Sequence, residues 1–145
     1  MSERLFESLN ESGSAAAGKT IAHLLPSDAV IHLIGDLGAG KTFLVRAIAA
    51  ALGADPTEVS SPTFALVHEY PVEGKAPIRH LDGYRLSERP KEWLEIGIPD
   101  LLRAEGLKFI EWPRQEFSSH GQRPITIEVR VNPDDSRTIR VEGLP

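Results

Sequence analysis

Two segments of the chain carry the residue types and spacing of a phosphate-binding loop. "GSAAAGKT" at residues 13–20 and "GDLGAGKT" at residues 35–42 each match the pattern G-x-x-x-x-G-K-[ST]. In such a loop the glycines let successive backbone N–H groups point at phosphates, the lysine neutralises their charge, and the final hydroxyl binds Mg²⁺. Two matches this close together cannot both enclose a nucleotide, so the elements around each match must distinguish them.

The first match is predicted to lie inside a helix. Apolar residues recur at helical spacing up to a proline that should end the helix: Ala17, Ile21, Leu24, Leu25 and Pro26. The three alanines at 15–17 favour a helix that begins well before Lys19, so the N–H groups of Lys19 and Thr20 would already be bonded within it. The preceding "RLFESLNE" contains no convincing buried strand. We therefore interpret residues 13–20 as a chance match.

The second match has the surroundings that a phosphate loop requires. The β-branched, apolar "AVIHLI" at 29–34 predicts a buried strand before it, and an apolar stripe after it predicts an amphipathic helix that ends near Gly53. Lys41 is expected to reach the β- and γ-phosphates, and the Thr42 hydroxyl to bind Mg²⁺. The predicted nucleotide contacts of the loop are Leu37, Gly38, Ala39, Gly40, Lys41 and Thr42.

The remaining pattern predicts a small α/β protein. Strands are expected at "FALVHEY" (64–70), "IRHLD" (78–82) and "LKFIEW" (107–112), with a helical region at 87–104 that Pro99 interrupts. "ITIEVRV" at 125–131 alternates strictly and should form an antiparallel hairpin with the segment around Ile139 and Val141. We predict one P-loop NTPase-like domain over residues 1–145, with a mainly parallel sheet, flanking helices and an antiparallel edge hairpin at the C-terminus.

Carboxylates at strand ends are the candidates for completing a Mg²⁺ nucleotide site. Glu111 ends the apolar run "LKFI" and Asp82 ends "IRHL", and ligands gather at the carboxyl edge of a parallel sheet. Strand periodicity puts His80 on the same side as Asp82, although His80 is equally interpretable as a core histidine. Thr63 of "SPTF" offers a hydroxyl where a switch-like loop would sense a γ-phosphate, although the same residues are also typical of a turn before a strand. From spacing alone, each carboxylate is as readily a solvated strand end as a functional group.

Composition narrows the classes of function. The net charge of −5 does not provide the broad positive field that direct nucleic-acid binding uses, and the absence of cysteine excludes disulfides and thiolate chemistry. No apolar run is long enough to cross a bilayer, and the first ten residues do not resemble an export signal. We therefore expect a soluble, cytoplasmic protein without membrane association.

Several motifs in chain order resemble the bacterial TsaE family: "AAAG" (15–18), "GDLGAGKT", "SPTFALVHEY", "HLDGYRL", "GIPDLL" and "FIEWP". The resemblance spans roughly residues 12–113, and the joint motifs are more specific than a phosphate loop alone. It implies a P-loop ATPase, using ATP and Mg²⁺, that is needed to make threonylcarbamoyladenosine at position 37 of tRNAs that read codons starting with A. It also implies two partners, TsaD, which transfers the threonylcarbamoyl group, and TsaB, which pairs with TsaD. Contact with tRNA would be only indirect, through that complex.

The resemblance also implies roles for individual residues. Lys41 and Thr42 keep their phosphate and Mg²⁺ roles, Glu111 becomes the metal ligand, and Asp82 orients the water or the outer shell of the metal. Glu11 and Arg137 are implied to flank the nucleoside. Two departures from the family pattern, Ser14 where threonine is common and Gly83 in place of a bulkier residue, lie outside the phosphate chemistry.

Two other functions remain open on the sequence. A small-molecule kinase shares the loop, but it needs an acceptor pocket and usually a basic lid, and residues 87–104 form a short region of mixed charge. An ATP-gated adaptor would use the bound nucleotide only to control docking. A GTPase is disfavoured because neither an N-K-x-D nor a D-x-x-G motif accompanies the loop.

Overall fold

The computed structural model describes residues 2–36, 38–55, 57, 67–83, 97–111 and 124–145. Seven strands and three helices lie within these residues. In chain order they are β1 (Ser2–Leu9), α1 (Glu11–Leu24), β2 (Val30–Ile34), α2 (Lys41–Ala51), β3 (Val67–Tyr70), β4 (Ile78–Asp82), α3 (Ile98–Arg103), β5 (Lys108–Glu111), β6 (Ile125–Val131) and β7 (Arg137–Leu144).

The strands form one mixed sheet with the order β1-β7-β6-β2-β5-β4-β3. Its centre is parallel, because β2 pairs in parallel with both β5 and β6, and β4 pairs in parallel with β5. The strands β3 and β7 are antiparallel to β4 and β6. The predicted fold class is therefore confirmed, including the C-terminal hairpin of β6 and β7.

The N-terminal strand β1 was not predicted. It pairs antiparallel with β7 and extends that side of the sheet by one strand. Phe6 and Leu9 pack against the core, whereas Leu5 is exposed, so the segment has too few apolar residues to stand out as a buried strand. Backbone pairing along an existing edge positions it, and such pairing leaves little trace in a hydrophobicity pattern.

Two apolar clusters cover the faces of the sheet. The larger one packs α1 and α2 against strand residues such as Ile31, Leu33 and Phe109. The smaller one packs α3 against strand residues such as Leu81 and Ile110. The central strands are thus buried on both faces, which explains the nearly continuous apolar runs from which they were predicted.

The helix α3 corrects one detail of the sequence analysis. Pro99 was expected to interrupt a helix, but it lies in the first turn of α3, after Gly97 in a left-handed conformation with φ of 78°. Proline suits this position because the first helical N–H groups have no partner within the helix and the ring fixes φ near the helical value. The earlier part of the predicted helical region lies outside the described residues.

None of the helices in the described part of the chain is long and apolar enough to span a membrane.

Candidate functional site

The first glycine-rich match lies in α1, as predicted. Asn10 caps this helix and accepts a 2.8 Å hydrogen bond from the N–H of Gly13. The Thr20 hydroxyl donates to the carbonyl oxygen of Ala16 at 3.2 Å, which is an ordinary contact inside a helix. A Cβ added at Gly18 would lie 2.9 Å from the Cβ of Ala47 on α2. Gly18 therefore lets two helices approach closely, and the motif has a packing role.

The second match forms the turn from β2 to α2. A Cβ at Gly35 would lie 2.5 Å from the carbonyl oxygen of Val129, so no other residue fits there without a shift of backbone. Gly38 and Gly40 have φ values of 81° and 102°, in the region that favours glycine, and α2 begins directly afterwards at Lys41. The loop thus has the strand–turn–helix geometry of a phosphate-binding loop. Leu37 lies outside the described residues.

Lys41 curls back over its own loop. Its side chain is buried, and the ammonium Nζ donates a 2.6 Å hydrogen bond to the carbonyl oxygen of Gly35. A charged donor at this distance makes a strong hydrogen bond. The positive charge is therefore held above the glycine-rich turn, at the amino end of α2, where an anion would also meet the helix dipole.

A small polar cavity of about 120 Å³ lies beside Thr42, at the end of the loop. Asp82 and Glu111 are directly paired in the register of β4 and β5, and Glu111 is paired with Leu33 of β2. The two carboxylates that the sequence analysis singled out are thus brought together at the carboxyl edge of the parallel strands. The cavity is lined by Thr42, Arg46, His68, Tyr70, His80, Asp82 and Glu111.

Glu111 has a pKa below its ordinary value. Burial raises the pKa of this carboxyl, but the hydrogen bond with His80 and electrostatic interactions with His80, Lys41 and His68 lower it, and the net shift is downward. The Nε2 atom of His80 lies 3.5 Å from Oε1 of Glu111. Glu111 is therefore ionised at neutral pH and able to act as a ligand for a cation.

The residues of the polar cavity fit Mg²⁺ by chemistry. Thr42, Asp82 and Glu111 offer hydroxyl and carboxylate oxygens, which are the donors that this hard cation prefers. Across the described ranges, no group of three or more His, Cys, Asp and Glu side chains is arranged to hold a metal by itself. A Mg²⁺ ion held by Thr42 and Glu111 would thus take its other ligands from phosphate and water, as is usual in nucleotide sites.

A second, larger cavity has a volume of about 530 Å³. It brings Glu11 at the start of α1 and Arg137 at the start of β7 beside Ala39 and Gly40 of the loop. The Nε atom of Arg137 donates to the carbonyl oxygen of Ala39 at 2.9 Å, so the C-terminal hairpin is tied to the loop. The walls of this large cavity are formed by Leu9, Asn10, Glu11, Ser12, Ser14, Ala39, Gly40, Phe43, Leu44, Val129, Asp135, Arg137 and Ile139.

Several cavity residues were missed by the sequence analysis, among them Arg46, His68 and Phe43. Arg46 lies four residues after Thr42, and this spacing was the signal that both share one helix face. No local pattern connects His68 with the site, but the β3–β4 pairing places it opposite His80. Nothing in the sequence pattern distinguished Phe43 from a core residue. Thr63, the proposed phosphate sensor, lies outside the described residues.

The architecture and the loop define a class of protein. A parallel central strand leads into a glycine-rich turn, the turn opens a helix at a buried lysine, and two carboxylates lie at the neighbouring strand ends. This combination defines a P-loop NTPase-like α/β protein. A family model described as "Threonylcarbamoyl adenosine biosynthesis protein TsaE" matches residues 8–139, and the chain belongs to this family.

Individual relatives agree with the family assignment. The chain is similar to the tRNA threonylcarbamoyladenosine biosynthesis protein TsaE of Treponema pallidum, with 34% identity over 128 residues that cover 88% of this chain and 92% of that protein. The protein of the same name from Bacillus subtilis is 33% identical over 129 residues, covering 89% and 78% of the two chains. The crystal structure of Bacillus subtilis YdiB superposes with a TM-score of 0.73 over 99% of this chain and 87% of that one. Because the sequence identity between the two chains is 24%, this similarity shows the fold alone.

Proposed function

We propose that the chain is a Mg²⁺-dependent ATPase that serves the threonylcarbamoyladenosine modification of tRNA and forms a single ATPase domain over residues 1–145. The description of its family and the names of its relatives support the pathway. The chemistry is supported by one observation above all. Lys41 is buried over a glycine turn that forms part of the wall of a cavity of ligand size, and the next residue, Thr42, lines a polar cavity with the paired carboxylates.

The mechanism follows from the placement of charge. Lys41 and the N–H groups of the loop would neutralise the β- and γ-phosphates as charge develops during hydrolysis. Thr42 and Glu111 would hold Mg²⁺, which supplies further neutralisation when bound. Asp82, paired with Glu111 across two strands, would orient the attacking water. Thr63 would sense the γ-phosphate, and Glu11 and Arg137 would flank the nucleoside.

Membership of the family suggests partners for the chain. We propose that the chain acts beside TsaB and TsaD and that TsaD performs the transfer. Contact with tRNA would then be made through the complex, which fits a chain whose net charge is −5. We expect slow hydrolysis by the isolated chain and faster hydrolysis in the complex. Equal ATPase rates with and without the other members would contradict this expectation.

The central experiment compares the two lysines of the two glycine-rich matches. Lys41→Ala should weaken ATP binding in the presence of Mg²⁺ by roughly 10- to 100-fold, because a charged hydrogen bond to phosphate is lost. Lys19→Ala is the matched control, since Lys19 is exposed on α1 in the same local motif, and it should bind ATP like the parent. Calorimetric titration measures both. An unchanged affinity in Lys41→Ala, or a loss in Lys19→Ala, would contradict the proposed site.

A single-turnover assay with γ-labelled ATP separates the alternatives. Release of labelled phosphate supports the ATPase, whereas transfer of the label to a small acceptor identifies a kinase. Retention of intact ATP by the chain, alone and with its partners, identifies an ATP-gated adaptor.

A further inference from the structure

Two consecutive residues of α2 line different cavities. Thr42 lines the polar cavity with Glu111, while Phe43 lines the large cavity with Arg137. Ala39 and Gly40 of the loop belong to the wall of the large cavity, and Thr42 at the end of the loop belongs to the wall of the polar one. A ligand whose phosphates rest on the loop is therefore within reach of both cavities, and the two cavities differ in chemistry.

The polar cavity suits the phosphate end of such a ligand. It is small, and its described walls carry hydroxyl, carboxylate, imidazole and guanidinium groups. The large cavity suits an organic end, because its volume of about 530 Å³ lies within the range of small-molecule sites. Its apolar walls include Leu9 and Ile139, and Glu11 and Arg137 add one charge of each sign.

Phe43 differs from the residues that follow it on the helix. Leu44 and Val45 are fully buried in the core, whereas Phe43 is 39% exposed. The wall of the large cavity therefore includes an aromatic side chain that is partly open to solvent and that the packing of α2 does not require to be buried. A planar aromatic group that enters the cavity would cover this ring, and stacking between a base and an aromatic side chain is favourable for every base.

We propose that Phe43 is the wall against which the nucleobase packs, so that it determines how much the nucleoside adds to the affinity given by the phosphates. This inference rests on the proposed nucleotide site. It gives the bound nucleotide a direction across the loop, with the base beside Phe43 and the γ-phosphate beside Thr42 and Glu111. Phe43 does not line the polar cavity, so we expect its effect on affinity to come from the base.

Calorimetric titration with ADP and with inorganic pyrophosphate, both with Mg²⁺, tests the assignment. In Phe43→Ala the affinity for ADP should fall by roughly tenfold, while the affinity for pyrophosphate stays unchanged, because only ADP carries a base. Phe43→Tyr keeps the ring and should bind ADP like the parent. Leu5→Ala removes another exposed apolar side chain, on β1 and outside the large cavity, and should change neither affinity.

Any other outcome contradicts the assignment of Phe43 to the nucleobase. An equal loss for ADP and pyrophosphate in Phe43→Ala would mean that Phe43 supports the loop and does not contact the base. Unchanged ADP affinity would also refute it, even if association with partner proteins became weaker. If the parent bound neither ligand, or if Lys41→Ala bound both as tightly as the parent, the proposed nucleotide site itself would fail, and the role of Phe43 with it.

Discussion

The Nε2 atom of His80 lies 3.5 Å from Oε1 of Glu111, on the strand next to the one that Glu111 ends. His80 is buried, and its position is set by the parallel pairing of β4 with β5. The contact opposes the effect of burial on Glu111, whose pKa would otherwise rise. A second histidine, His68, lies opposite His80 in the antiparallel pair of β3 and β4. The charge of the proposed metal ligand is thus maintained from neighbouring strands.

Replacing His80 should raise the pKa of Glu111. His80→Phe keeps a buried ring but removes the N–H group, so burial acts on the carboxyl with less opposition. In the parent the lowered pKa stabilises the folded state above the unfolded value of about 4.3, and this stabilisation is lost as pH falls through the folded pKa. The His80→Phe variant should lose much of this pH-dependent stabilisation. An NMR titration of the Glu111 carboxyl carbon, assigned with Glu111→Gln, measures the shift, and an unchanged or lower pKa would contradict the role of His80.

The two paired carboxylates should respond differently to substitution. Glu111→Gln should remove most of the Mg²⁺ dependence of nucleotide binding, because an amide oxygen is a poorer ligand than a carboxylate. Asp82→Asn should keep Mg²⁺-dependent binding and lose turnover, since its proposed role is to orient water. Titrations with and without Mg²⁺, combined with single-turnover rates, separate the roles. The opposite pattern would exchange the two assignments.

Gly18 should be essential for the packing of α1 on α2. Even a Cβ at this position would lie 2.9 Å from the Cβ of Ala47, so Gly18→Val should lower the free energy of unfolding by about 1–3 kcal/mol. Ala16→Val places the same side chain on the exposed face of α1 and should cost only the difference in helix propensity, well under about 1 kcal/mol. Urea denaturation measures both values. Equal effects of the two substitutions would show that the helices separate readily.

Lys108 should make stability depend on alkaline pH. It is almost fully buried at the start of β5 and donates to the carbonyl oxygens of Asp28 and Ala104 at 2.9 and 2.5 Å. Burial lowers its pKa, the charge of Asp28 raises it, and Arg79 lowers it, with a net decrease. Between the folded pKa and the unfolded value of about 10.4, the unfolded chain binds more protons, so stability should rise with pH.

The variant Lys108→Met lacks this titration and serves as the reference. The unfolding free energy of the parent minus that of the variant should increase as the pH rises from neutral into the range between the folded and unfolded pKa values of Lys108. Urea denaturation of both proteins at each pH measures this difference. A constant or decreasing difference would contradict a lowered pKa for Lys108.

Local pattern sufficed to choose between the two glycine-rich matches. The buried strand before Gly35 and the alanines before Lys19 are features of short segments, and each predicted the element that the structure shows. The central strands were predictable for a similar reason, because burial on both faces imposes a continuous apolar run. The edge strand β1 was not predictable from the sequence, because one of its faces is open and pairing through the backbone does not restrict side chains.

The sequence by itself determined which segment forms the loop, which helix follows it, and which strand ends carry carboxylates, because these depend on residues close together in the chain. Only the tertiary structure decided that Asp82 and Glu111 lie side by side, that His68 and His80 join them, and that Arg137 is tied to Ala39. It also decided that Thr42 and Phe43 line separate cavities. The order and register of the strands fix these neighbours, and both arise from pairings between segments that are distant in the chain.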